Sequence, residues 1–274
     1  TTIKLRAFRE GALQSKSLSL SYIFTQALSL DVISLTTPAQ NLFGSQGIYD
    51  NQSNGAEIEA TLEMFENGQS VINQNVGIKI HAPDSRYQLG FRIYARSEYG
   101  ENRINHSIFS QKELSSFKTL VLRNGGNDGA ELEETHFRDA LGHELYLELN
   151  PENGMACYKP VNVFLNGEYW GIYNLRERQD EHYLKDNYNI APEDVDFLEY
   201  DYHEEDHMKT ISGNWDNWNE LQSFVLDNDL STSENYQVIE DWVDLDNFID
   251  YQLFQIAIGN QDWCNNNTKF WRPT

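Results

Sequence analysis

The hydrophobic pattern of this 274-residue chain changes its period near residue 135. Before that point, apolar and polar residues alternate in short runs that Gly, Asn and Pro separate, as in a β meander. These runs cover residues 32–35, 56–65, 76–80 and 90–95. After it, helical spacing predicts helices over residues 181–187, 215–227, 233–240 and 245–258. A β-rich part followed by a helix-rich part predicts an α+β fold and not a doubly wound sheet.

The change of period is marked by a helix. Phe137, Leu141 and Leu145 recur at helical spacing, and Thr135 precedes them as a possible N-terminal cap. We therefore expect a helix that starts near Thr135.

A β-hairpin is expected shortly afterwards. Residues 161–165 and 169–175 alternate on either side of Asn166-Gly167. Asn-Gly supplies the positive φ angles of a type I′ turn, so these two runs should pair.

A second hairpin is expected at the start of the chain. Residues 3–7 and 17–22 alternate and are joined by a turn at Gly11. A hairpin alone is marginal in water, so this one either packs on the next part of the chain or belongs to a module of its own. It resembles the last two strands of the small β-sandwich module at the C-terminal end of chitobiase-like enzymes. That resemblance divides the chain into a partial module, residues 1–24, and a second domain, residues 25–274.

The charge excludes several classes of partner. Forty-three Asp and Glu stand against 20 Lys and Arg, so the formal net charge is −23. Nucleic-acid phosphates and anionic membrane surfaces repel such a protein. The sequence also lacks a long apolar run of the kind that inserts into a membrane. The two cysteines, Cys157 and Cys264, have no metal-type spacing, and each is expected to be a small buried residue.

The end of the last predicted helix carries the pattern with the clearest chemical meaning. Asp262 follows that helix, and Asn267 comes five residues later. In kinases, an Asp takes the proton of the attacking hydroxyl, and an Asn downstream holds Mg²⁺. An Asn-rich loop in which side-chain amides cap backbone groups is the alternative interpretation.

Several motifs occur in an order that resembles the CotH kinase family over roughly residues 28 to 274. They cover residues 47–49, 91–100, 120–128, 137–139, 163–177 and 259–263. The resemblance implies an atypical protein-kinase-like fold. It also implies a secreted or cell-surface enzyme that uses ATP and Mg²⁺ or Mn²⁺ to phosphorylate Ser or Thr of extracytoplasmic or spore-coat proteins.

The resemblance also implies roles for individual residues. Asp262 is the catalytic base, and Asn267 or its neighbour Asn266 assists the metal. Glu177 orients the groups that bind phosphate, although a surface ion pair with Arg176 or Arg178 is the alternative.

Arg123 and Asn124, within one of these motifs, are expected to be structural. A buried Arg123 would satisfy the carboxylates of Asp128 or Asp139 and would not contact phosphate.

Two departures from the family pattern bear on activity. Leu89 stands where family members carry a lysine that is a natural phosphate partner, and Arg86 or Arg92 is the available substitute. The family also has an Asp, downstream of the strand at the end of this sequence, that is the principal metal ligand. We expect that Asp to lie beyond Thr274, so that the chain is a fragment of a larger protein and catalytically incompetent by itself.

Two other patterns suggest different functions. His203, Glu204 and His207 formally match a zinc-protease motif, but the surrounding sequence favours a solvated acidic loop. Trp215 and Trp218 combine aromatic faces with polar neighbours, which suits sugar binding, whereas their spacing equally suits core packing. A non-catalytic module that binds protein or glycan on a pseudokinase scaffold therefore remains the alternative to a kinase.

Overall fold

The computed structural model describes the chain except for residues 25–27, 83–87, 129–134, 151–153, 202–203, 205–206 and 265. The chain forms two compact units. The first, called the barrel unit, contains Thr1–Leu141 and Ala156–Arg178. The second, called the helical unit, contains Gly142–Met155 and Gln179–Thr274.

Eleven strands and one short helix lie in the described part of the barrel unit. The strands are β1 (Thr2–Leu5), β2 (Leu18–Ser21), β3 (Val32–Thr36), β4 (Ile58–Glu66), β5 (Gln69–His81), β6 (Gly90–Tyr94), β7 (Ile104–Asn105), β8 (Ser116–Phe117), β9 (Thr119–Arg123), β10 (Tyr158–Leu165) and β11 (Glu168–Glu177). The helix α1 covers Ala39–Leu42, and α2 (Arg138–Leu149) begins in this unit.

Seven of these strands close into a barrel in the order β10-β11-β9-β6-β5-β4-β3. All neighbouring pairs are antiparallel except β3 and β10, which run parallel and close the barrel. Phe91, Ile93 and Tyr173 are among the side chains that fill the interior and are fully buried. The predicted β-rich part is thus confirmed. The strands do not form a simple meander, because β3 pairs in parallel with β10, which lies far from it in sequence.

The barrel strands approach loop residues closely at Gly77 in β5. A Cβ atom there would lie 2.6 Å from the ring of Tyr99 and would clash with the carboxylate of Glu57. Glycine lets β5 lie against these side chains.

The first predicted hairpin is present, since β1 pairs antiparallel with β2. Its serine-lined side contacts the barrel strand β4: the Ser21 backbone N–H and hydroxyl both donate to Glu63, and the Thr61 hydroxyl donates to Ser19. The hairpin therefore packs on the barrel, which was one of the two expectations for it. The domain boundary at residue 24 stays a prediction.

The second predicted hairpin is confirmed, because β10 pairs with β11 through Asn166 and Gly167, whose φ angles are +52° and +85°. Helix α2 starts later than expected, at Arg138. The Asp128 carboxylate accepts the Arg138 N–H at 2.7 Å, so the expected capping role of the Thr135 hydroxyl is wrong; that hydroxyl donates to Asp128.

The described part of the helical unit contains the rest of α2, four further helices and three strands. The helices are α3 (Glu181–Tyr188), α4 (Asp216–Asp227), α5 (Ser233–Trp242) and α6 (Leu245–Ala257). The strands β12 (Val195–Tyr200), β13 (Met208–Ser212) and β14 (Thr268–Pro273) form an antiparallel sheet in the order β13-β12-β14. All four predicted helices are present within two residues of their expected ends. Among the described residues, no helix combines the length and apolar composition needed to cross a membrane.

The order of elements confirms a mixed α+β chain with strands first and helices mainly later. The Cys157 side chain is buried as expected, whereas Cys264 is exposed, so the expectation for that cysteine is wrong. Cys264 lies in the loop after α6, where the backbone turns at the surface.

Candidate functional site

The loop that carries Asp262 is held at both ends by regular structure. Helix α6 ends at Ala257, and Gly259 follows with a φ of +63°, a conformation that glycine adopts without strain. The side-chain carbonyl oxygen of Asn260 then accepts the Asp262 N–H at 3.0 Å. After the loop, β14 pairs with β12, so the loop is positioned between a helix and a sheet of the same unit.

The Asp262 carboxylate is exposed and is oriented by two side-chain amides. Nδ2 of Asn266 donates to Asp262 Oδ1 at 3.0 Å, and Nδ2 of Asn267 donates to Oδ2 at 2.8 Å. Each carboxylate oxygen has two acceptor sites, so each retains one for a proton donor or a cation. The structure thus brings together the three residues that the sequence singled out in this loop.

Asn266 differs from Asn267 in its burial. Asn266 is only 8% exposed, and its Oδ1 is a buried oxygen without a hydrogen-bond partner among the described residues. Burying a polar atom without a partner is costly, so an unsatisfied oxygen beside a carboxylate fits a cation ligand. Asn267 is exposed and adopts a positive φ of +54°. Of the two alternatives, Asn266 therefore fits the metal-binding role better.

These donors suit one kind of cation. Among the described residues, no group of three or more His, Cys, Asp or Glu could hold a metal. Mg²⁺ commonly uses one or two protein oxygens and keeps several water ligands, whereas Zn²⁺ or Ca²⁺ sites need more protein ligands. Asp262 and Asn266 therefore fit Mg²⁺, or Mn²⁺ with the same preference for oxygen.

In the barrel unit, Glu177 lies at the end of β11 and its side chain is 4% exposed. Oε2 accepts from Nζ of Lys112 at 3.0 Å and from the backbone N–H of Cys157 at 2.8 Å. Lys112 belongs to none of the sequence motifs, so only its contact with Glu177 identifies it. A buried Lys–Glu ion pair holds the lysine ammonium in one place, which is what a phosphate-binding cation requires.

The surroundings of this ion pair have low polarity. Burial, with a smaller effect of the Glu177 charge, raises the pKa of the Cys157 thiol to about 12. Cys157 is therefore a neutral thiol at physiological pH, and no covalent chemistry follows from it.

The arginine beside Glu177 serves the packing of the barrel unit. Arg176 is 3% exposed and forms an ion pair with Asp139, and it donates to the carbonyl of Ala156 at 3.1 Å. Burial lowers the pKa of Arg176, and Asp139 counteracts this effect. Arg123 lies 3.6 Å from Asp139, so its predicted pairing with a carboxylate is confirmed, although the Arg123 side chain is partly exposed.

Leu89, at the position of the family's lysine, and its two proposed substitutes, Arg86 and Arg92, have different outcomes. Leu89 is buried in the barrel core, so this position is part of the packing. The Arg92 side chain donates through Nε to His81 Nδ1 at 3.1 Å, and its role in ATP binding stays a prediction. Arg86 lies outside the described residues.

The two alternative patterns do not form sites in the described residues. Trp215 and Trp218 pack against Tyr200 and Phe270, with the Trp218 and Phe270 ring centres 4.5 Å apart. Both tryptophans are half-buried, so these contacts favour the packing interpretation over sugar binding. His203 of the zinc-protease pattern lies outside the described residues.

Comparison with known proteins is consistent with the resemblance of the motifs. A family model described as CotH kinase protein matches residues 85–274, which is more than half of the chain. The chain has no match among curated proteins.

Proposed function

The chain belongs to the CotH kinase family, and we propose that it transfers the γ-phosphoryl group of ATP to Ser or Thr of extracytoplasmic proteins. A kinase-like function, with ATP and a divalent metal, follows from the family in general. The proposal adds three points to this: the acceptor is Ser or Thr, the protein is secreted or at the cell surface, and individual side chains have the roles given below. The observation that carries it is the exposed Asp262 carboxylate held by two amides beside an unsatisfied buried oxygen.

Asp262 would act as the general base of the transfer. Its two amide donors fix the carboxylate and leave acceptor sites on both oxygens, so a substrate hydroxyl can donate to one of them. The hydroxyl oxygen then attacks the γ-phosphorus as its proton passes to Asp262, and the bond to the β-phosphate oxygen breaks. A general base of this kind typically contributes 10²–10⁴-fold to the rate.

Asn266 and Asp262 would hold the divalent ion. That ion supplies charge neutralisation on the phosphate oxygens. The buried Asn266 Oδ1 has no hydrogen-bond partner in the part of the chain that the structure describes, so a cation would also satisfy it.

Lys112 would bind phosphate with Glu177 as its anchor. The 3.0 Å ion pair fixes the ammonium, and a lysine ammonium forms charge-assisted hydrogen bonds with phosphate oxygens. Leu89 cannot perform this role, because it is buried in the barrel core. Lys112 would supply positive charge for phosphate in a chain whose net charge is −23.

The test measures transfer of radiolabelled phosphate from ATP, with Mg²⁺ or Mn²⁺, to the kinase chain itself and to a Ser/Thr-containing substrate protein. It is made with this chain and with a version extended past Thr274. Asp262→Asn should lower the transfer rate by about 10²–10⁴-fold and should also reduce thermal stabilisation by ATP and metal, because the same carboxylate holds the ion. Asn266→Ala should raise the metal concentration needed for half-maximal activity more than Asn267→Ala does.

A matched control exists in the same unit. Asp241 is exposed and, like Asp262, accepts a hydrogen bond from a side-chain amide. Nε2 of Gln237 donates to Asp241 Oδ1 at 3.3 Å. Asp241→Asn should leave transfer and stabilisation unchanged. If ATP and metal give neither stabilisation nor transfer with either version of the chain, the kinase proposal fails and a non-catalytic binding module on the same scaffold replaces it. Leu89 is the feature that favours that second function.

A further inference from the structure

Helix α6 has an apolar face that the packing of the helical unit leaves exposed. Phe254 packs against Tyr146 of α2 with ring centres 5.3 Å apart. Ile249, Leu253 and Ile256 follow one another at helical spacing on a different face of the helix, and they are 47%, 60% and 64% exposed. These three residues are called the outer α6 stripe. Large apolar side chains grouped in this way typically mark an interaction surface.

The chain segment that contains the stripe carries acidic residues and no basic ones. Between residues 210 and 268 the chain contains no Lys, Arg or His. The same stretch contains eleven acidic residues, at positions 216, 220, 227, 229, 234, 240, 241, 244, 246, 250 and 262. Asp246 is exposed and precedes Ile249 by one turn of α6. The surface therefore combines an apolar stripe with negative charge that no basic residue in this stretch offsets.

The apolar stripe together with the acidic charge favours one kind of binding partner. A second copy of the chain would bring another acidic helical unit against this one, and like charges placed together are unfavourable. An anionic lipid surface is repelled for the same reason. A helix with its own apolar stripe and Lys or Arg beside it satisfies both the apolar face and the charge.

We propose that the outer α6 stripe binds a basic amphipathic helix of another polypeptide. The inference goes beyond the kinase function and does not depend on it, because none of its residues takes part in the proposed transfer. Apolar contact with the stripe supplies most of the affinity, and the acidic surroundings favour basic partners and raise the association rate.

The experiment measures fluorescence anisotropy of a labelled helical peptide of Leu and Lys, with Leu at i, i+4 and i+7, titrated with the full chain. Binding should weaken as salt is added, because the charges are screened. Replacing Leu253 and Ile256 with Ser should weaken binding by at least about tenfold, since each buried aliphatic side chain contributes at least that factor. Both residues are exposed, so the substitutions should leave folding unchanged.

A matched control is Leu149→Ser in α2, because Leu149 is as exposed as Leu253, 60% in each case. This variant should bind the peptide as the unmodified chain does. A peptide with Glu in place of Lys should not bind, nor should a Lys peptide with Ser in place of Leu.

Three results would overturn the proposal. The first is equal binding of the Leu/Lys peptide by the Leu253 and Ile256 variant and the unmodified chain. The second is self-association of the chain that Leu253→Ser abolishes, which would assign the stripe to a second copy. The third is binding to phosphatidylserine vesicles that the same substitution removes.

Discussion

The buried ion pair between Lys112 and Glu177 should be strongly coupled energetically. The two side chains are 21% and 4% exposed, and the ammonium and carboxylate atoms lie 3.0 Å apart. At an effective dielectric constant of about 20, their attraction is about 5 kcal/mol before the desolvation cost is subtracted. Because removal of one partner of a buried pair costs about 3–5 kcal/mol and Lys112 retains some exposure, we expect about 3 kcal/mol for Lys112→Met.

Glu177→Gln should cost a similar amount, although the amide oxygen can still accept the N–H of Cys157. The double variant should lose less than the sum of the two, with a coupling free energy of about 1–3 kcal/mol. Hydrogen exchange of peptides from β10 and β11, measured as a function of urea, reports the stability of the barrel itself.

An exposed ion pair in the same unit provides the comparison. Arg96 donates two hydrogen bonds to Glu57, and the side chains are 44% and 20% exposed. Its coupling should be below about 1 kcal/mol despite the bidentate geometry. If the Lys112 and Glu177 substitutions are additive, or couple no more strongly than this exposed pair, the buried pair does not anchor the lysine.

Two further predictions concern the barrel unit and the loop after α6. Asp128→Ala should destabilise the chain by about 2 kcal/mol, because the buried carboxylate accepts the N–H groups of Arg138 and Thr135 at 2.7 and 2.8 Å. Burial alone would raise the pKa of Asp128, but these hydrogen bonds hold it below 3.8. The Asp128 carboxylate therefore stabilises the folded chain fully above the pKa of an unfolded aspartate, and this stabilisation is lost as the pH falls through the lower folded pKa. The unfolding free energies of the unmodified chain and the Asp128→Ala variant, measured in urea, should converge only in acid. A difference that stays constant with pH would contradict this. Of the two cysteines, Cys264 should react with a thiol reagent at pH 8 in the folded protein, whereas Cys157, buried and with a pKa of about 12, should react only after unfolding. Rapid labelling of both thiols in the folded chain would contradict the burial of Cys157.

The sequence predicted the local elements well because their signals act over few residues. The four helices after residue 180 follow from apolar spacing, and Asn166-Gly167 specifies its hairpin through two positive φ angles. Helix α2 shows the limit of such signals. Its first turn is capped by Asp128, ten residues before Arg138, and a carboxylate at that distance gives no capping pattern.

The candidate site was predicted in part. Asp262 and the two asparagines near it follow from the spacing of a short loop, and the structure places all three in contact. The choice between Asn266 and Asn267 depends on burial, which a pattern of three adjacent asparagines does not show. Lys112 depends on a contact with a residue 65 positions away in the chain.

Periodicity, turn chemistry and ordered motifs thus established by themselves the α+β class, the hairpins, the later helices and the family of this chain. Tertiary structure alone decided the closure of the barrel, where Val32 of β3 lies opposite Asn162 of β10 in a parallel pair. It also decided which polar atoms are buried and which lysine meets Glu177. The physical reason is that a local pattern reflects backbone preferences over a few residues, whereas these pairings are selected by the free energy of packing the whole unit.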